Sequence, residues 1–60
     1  TPRELEVLKL ASEGMGNRKL AAAMFLSEAT VKTHLVNAFR KLGVANRTAA
    51  VARARELGLL

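Results

Sequence analysis

In the stretch FLSEATVKTHLVNAFRKLG, residues 25–43, cationic side chains (Lys32, Arg40, Lys41) are interleaved with hydroxyls (Ser27, Thr30, Thr33) and an amide (Asn37). This is hydrogen-bonding chemistry. Cations donate to anionic oxygens and ring acceptors, hydroxyls donate or accept, and none of these groups forms a nucleophile–base pair. Groups that make or break bonds are sparse elsewhere. The chain has no cysteine and one histidine, and its five acids, Glu4, Glu6, Glu13, Glu28 and Glu56, are scattered without a paired arrangement. A lone histidine makes no zinc cluster. His34 falls beside the apolar side of its own helix and reads as a packing residue with one satisfied ring nitrogen. Neither catalysis nor a cofactor or metal is expected.

The formal charge is +5, and its location says more than its size. From Asn17 to Arg47 the cations are Arg18, Lys19, Lys32, Arg40, Lys41 and Arg47, against Glu28 alone, so this segment carries the whole excess. A polyanion is the natural partner of such a segment. Neither Trp nor Tyr is present and there are only two Phe, which argues against binding single strands by base stacking. No apolar run approaches membrane-spanning length and no signal peptide is visible, so a soluble, cytoplasmic protein is expected.

Sixty residues allow one domain with a small core. Without disulfides its stability must come from packing, to which eleven alanines bring helix propensity and close helix contacts. The apolar spacing predicts an all-α, four-helix bundle with helices at about 2–13, 17–24, 28–42 and 47–57. The first has Thr1 as N-cap, Pro2 at the first helical position and a stripe of Leu5, Leu8 and Ala11 with Val7 alongside; Gly14 ends it. The second buries Leu20, Ala21 and Met24. Phe25-Leu26-Ser27 connects it to the third, which Ser27 caps and Gly43 stops. The inner side of the third is Val31, Leu35, Ala38 and Leu42. Almost opposite lie Ala29, Thr33, Val36 and Arg40, flanked by Lys32 and Asn37. Asn46 caps the fourth, with Ala50, Ala54 and Leu57 on its inner face. Its second face, Thr48, Val51, Ala52 and Arg55, is partly apolar and not needed by a four-helix core.

Two helices joined by a short turn, the second beginning on a capped, polar and basic first turn, form a helix-turn-helix. In order, TPRELEVLKL, GNRKLA, LSEATVKTHL and KLGVANRTAAV resemble the DNA-binding domain of the LuxR/FixJ (GerE-type) bacterial transcription regulators over nearly the whole chain. The resemblance implies sequence-specific binding of double-stranded DNA, with helix 28–42 in the major groove and a weak homodimer formed through helix 47–57. It also implies an N-terminal signal-receiving domain, residues 1–60 being the C-terminal part of a longer regulator. The abrupt start on a helix cap agrees with that. Three positions depart from the family pattern: Gly16 stands where Ser or Thr is usual, Ala49 where Glu or Gln is common, and Val36 where a polar or basic residue is frequent.

Base contacts are expected from Lys32, Thr33 and Val36: lysine donates to guanine O6/N7, threonine donates, accepts or touches a methyl, and valine meets the thymine methyl. Asn17, Arg18, Lys19, Ser27, Thr30, Lys41 and Arg47 are candidates for phosphate contacts, which fix register without reading sequence. Thr48, Val51, Ala52 and Arg55 are the candidate dimer seam. Each has a plainer alternative: a solvated face for the first set, capping for Ser27, a helix-end contact or ion pair for Arg47, and a docking surface for a regulatory domain at the seam. Two other functions compete: a sigma-factor-like polymerase-docking region, and a basic helical module that binds an acidic protein.

Overall fold

The structure, a computed structural model, describes residues 2–60; Thr1, the expected cap of the first helix, lies outside them. The elements are α1 (Pro2–Ser12), α2 (Asn17–Met24), α3 (Glu28–Leu42) and α4 (Arg47–Glu56), with no strand among the described residues. The all-α class and the helix-turn-helix of α2 and α3 are as the spacing predicts.

α1 starts on Pro2, whose fixed φ suits the first helical position. Its buried face is Glu4, Val7, Leu8 and Ala11. Leu5, expected on that face, is instead 39% exposed. Positions 4, 7, 8 and 11 share one side of a helix, and Leu5 lies about 110° from their centre at 100° per residue. Glu4 takes the inner position because its carboxylate meets a cation from α3.

α2 buries Leu20, Ala21 and Met24. It ends with Phe25 in the left-handed region (φ 57°), where the N–H groups of Phe25 and Leu26 donate to the carbonyls of Ala22 (3.4 Å) and Ala21 (2.9 Å). This is a Schellman stop built without glycine. A side chain in that conformation costs about 1–2 kcal/mol. The Phe25 ring is 95% exposed and recovers nothing by packing, but Leu26 folds back onto the core as the motif requires.

Ser27 opens α3: its Oγ accepts from the Thr30 N–H at 3.1 Å and lies 2.9 Å from Thr30 Oγ1. Val31, Leu35 and Ala38 are buried and Leu42 is half-buried. Gly43 closes the helix at φ 69°, and the Val44 N–H reaches the Phe39 carbonyl at 3.0 Å. Asn46 caps α4 by accepting from the Ala49 N–H at 2.8 Å. Ala50 and Ala54 are fully buried, whereas Leu57, expected beside them, is 51% exposed. α4 ends at Glu56, one residue earlier than the spacing predicts, as does α1 at Ser12. The chain then turns at Gly58 (φ 72°), with the Leu59 N–H on the Ala54 carbonyl at 2.9 Å, directly after Leu57, whose own N–H still bonds to the Arg53 carbonyl at 3.0 Å.

The core has two parts. Val7, Ala11, Leu20, Ala21, Met24, Val31 and Leu35 join α1, α2 and α3. Leu8, Ala38, Ala50 and Ala54 join α1, α3 and α4, their small side chains allowing close approach. Phe39 packs against both. α3 touches all three other helices, while α2 and α4 meet only at their first residues, Asn17 and Arg47. The inner side of α3 is therefore held firmly and its outer side is left uncovered.

Candidate nucleic-acid interface

The uncovered side of α3 forms one shallow, open depression lined by Ala29, Lys32, Thr33, Val36, Asn37 and Arg40. The three residues expected to meet base edges, Lys32, Thr33 and Val36, are thus together, and Val36 is 48% exposed. The Thr33 hydroxyl donates to the Ala29 carbonyl at 3.1 Å, so its lone pairs and methyl remain for an outside partner. Asn37 and Arg40 share the depression, although no contact was assigned to them from sequence. The signal was the helical angle, which already placed both beside Val36. Lys32 and Arg40 make no ion pair or side-chain hydrogen bond among the described residues.

Asn17, Arg18 and Lys19 form the first turn of α2. Arg18 and Lys19 are exposed and, like Lys32 and Arg40, unpaired among the described residues. Gly16 at the N-cap is extended (φ −76°, ψ 171°) and offers no capping side chain, and the first turn holds no acid. Two cations at the positive end of a helix cost a little dipole energy, which an anion laid across that end would reverse. By contrast, Arg3 pairs with Glu6 (3.8 Å) and Arg53 with Glu56 (3.1 Å), away from this segment.

Ser27 and Thr30 spend their hydroxyls partly on each other at the start of α3. Lys41 reaches α1, its Nζ lying 2.8 Å from Glu4 Oε2; the Glu4 side chain is 7% exposed and that of Lys41 60%. The hydrogen bond to Glu4 raises the Lys41 pKa above the usual 10.5, opposed by partial desolvation. A raised pKa means that the stability linked to Lys41's own titration is fully present below 10.5 and is lost as pH climbs through the folded-state value. On the α3 cylinder Lys41 sits about 140° from Val36, facing α1 rather than the depression. Arg47, the first residue of α4, turns inward: one guanidinium nitrogen donates to the Met15 carbonyl at 2.5 Å and the other to Asn17 Oδ1. No pattern in the sequence announces either long-range bond.

A second depression carries all four candidate seam residues, Thr48, Val51, Ala52 and Arg55, beside Arg47. Ala11, Ser12 and Gly14, from the end of α1, complete it, a contribution visible only once α1 packs on α4.

Known proteins share this arrangement. Residues 1–54 match the family model described as bacterial regulatory proteins, luxR family. The HTH-type quorum sensing-dependent transcriptional regulator RpaR of Rhodopseudomonas palustris is 50% identical over 60 residues, all of this chain and 25% of that protein. The CsgBAC operon transcriptional regulatory protein of Escherichia coli is 48% identical over 56 residues, covering 93% of this chain and 26% of that one. The crystal structure of ChrA, a response regulator of a heme-sensing two-component system, superposes with a TM-score of 0.97 at 55% identity, over all of this chain and 30% of that one. The chain thus spans about a quarter of the length of these two curated relatives. With the four-helix fold, the uncovered α3 face and these matches together, the chain belongs to the luxR family of bacterial regulatory proteins.

Proposed function

We propose that the outer face of α3 lies in the major groove of double-stranded DNA, with Lys32, Thr33 and Val36 against base edges. The observation that carries this is the depression over Lys32, Thr33, Val36, Asn37 and Arg40, with its two cations unpaired among the described residues, on a helix whose other side is held by all three neighbours. A site on a rigid element keeps side chains in register with bases. Asn17, Arg18, Lys19, Ser27, Thr30 and Lys41 meet phosphates on either side, while Arg47 is bonded inward to Met15 and Asn17. Binding is the whole of the domain's work, without catalysis. Residues 1–60 are the C-terminal domain of a longer cytoplasmic regulator that associates with the nucleoid when bound and carries an N-terminal signal-receiving domain.

Two copies associate weakly through Thr48, Val51, Ala52 and Arg55, mainly on DNA, because so small a seam buries little area. Two-fold symmetry then sets half-sites about one DNA turn apart. Val51→Glu is expected to abolish paired occupancy of a two-half-site duplex while leaving single half-site binding within about twofold, since a buried unpaired carboxylate disfavours only the seam. Gel-shift titration on one-site and two-site duplexes measures both. Unchanged paired occupancy would place the seam elsewhere.

Lys41 keeps two ammonium donors beyond its bond to Glu4. Lys41→Ala should weaken every duplex alike and flatten the salt dependence by about one unit. A slope equal to that of the unaltered chain would assign Lys41 to Glu4 alone. The reading as a whole is tested by selecting bound sequences from a random duplex pool. Recovery of a symmetric consensus that the chain prefers to a scrambled duplex supports it. Binding without preference among duplexes would instead favour a basic module for acidic proteins.

A further inference from the structure

We infer that Arg47 is a positioning residue for Asn17: it turns the Asn17 amide so that the NH2 end faces outward as a donor to a DNA phosphate. This rests on the DNA-binding reading above. Arg47 stands at the start of α4, yet its guanidinium reaches back 32 residues to the Met15 carbonyl in the α1–α2 loop and 30 residues to Asn17 Oδ1 on the first residue of α2. Two bonds from one planar fork tie the loop and the helix start together.

The chemistry of the fork decides the rest. Guanidinium carries donors only, so the end of the Asn17 amide bonded to it must be the oxygen. The nitrogen end, with two hydrogens, is thereby directed away from Arg47. Phosphate oxygens only accept, and an amide held this way always offers them its donor end. A freely rotating amide would offer an acceptor part of the time. Gly16 before it supplies no side chain to hold the turn, and the exposed cations Arg18 and Lys19 follow directly. The other role for Arg47, a phosphate contact of its own, predicts a different salt dependence.

The test measures binding of the 60-residue chain to a duplex enriched from a random pool, and to a scrambled duplex of equal length, at several salt concentrations. The variants are Arg47→Ala, Arg47→Lys, Asn17→Ala and the two alanines combined. Each single change is expected to weaken the enriched duplex about fivefold, the scale of one hydrogen bond. Lysine should not rescue, because a point cation cannot reproduce the fork. The double variant should be no weaker than either alanine alone, since both remove the same contact. The salt slope of Arg47→Ala should match that of the unaltered chain, because no cation leaves a phosphate. A slope reduced by about one unit, losses that multiply in the double variant, or full rescue by lysine would each overturn the assignment. Should Arg47→Ala melt below the assay temperature, Arg47→Lys and its combination with Asn17→Ala decide the same question. An unaltered chain that fails to prefer the enriched duplex defeats the DNA-binding reading itself, an outcome separate from any of these.

Discussion

Leu20→Ala is expected to leave the chain largely unfolded, or to lower its melting temperature by well over 10 °C. Leu20 is fully buried at the meeting of α1, α2 and α3. Truncating such a side chain costs about 2–5 kcal/mol in transfer energy and cavity. A domain of this length holds roughly 3–9 kcal/mol in all, and each kcal/mol moves the midpoint by about 4–8 °C. Leu5→Ala is the control. That leucine is also a periodic apolar residue, but it is 39% exposed, and its loss should shift the midpoint by only a few degrees. Melts followed by circular dichroism separate the two. Equal shifts would mean that α1 packs through Leu5 after all.

Lys32→Ala carries the largest expected effect on binding. Its ammonium has no partner among the described residues and stands on the exposed face of α3, so the fold should be indifferent to its removal. On the enriched duplex the loss should be about 1–3 kcal/mol, and preference should relax at a single base pair. On scrambled duplexes the loss should be much smaller. The contrast separates base reading from phosphate attraction, which weakens all sequences together. Equal losses on both duplexes would remove Lys32 from the base-reading set.

Much of this molecule is written locally. Ser27 and Asn46 mark helix starts because their side chains accept amides three residues on, and Gly43 marks a stop because its left-handed φ admits glycine readily. The outer face of α3 follows from helical angle alone, given Val31, Leu35 and Ala38 on the inside. What spacing misreads is settled by contacts across the chain. Glu4 displaces Leu5 from the inner face of α1 because Lys41, 37 residues away, neutralises it. Leu57 keeps the period of Ala50 and Ala54 and its N–H still bonds to the Arg53 carbonyl, but α4 stops at this cap and the side chain stays half exposed. Phe25 ends α2 in a conformation that composition gives no reason to expect, made tolerable by Leu26 returning to the core. The inward turn of Arg47 belongs to the same class, since a cation beside a helix cap looks identical in sequence whether it faces solvent or a carbonyl.

Packing and charge give α3 two unlike sides, one gripped by three helices and one open and basic. Titrating the isotopically labelled chain with the enriched duplex, and following its backbone amide resonances, tests the use made of that difference. The account predicts the largest shifts at Ala29, Lys32, Thr33, Val36, Asn37 and Arg40, with Leu59 and Leu60 unmoved. Shifts gathered on α4 or the C-terminal residues, with the α3 face silent, would contradict it.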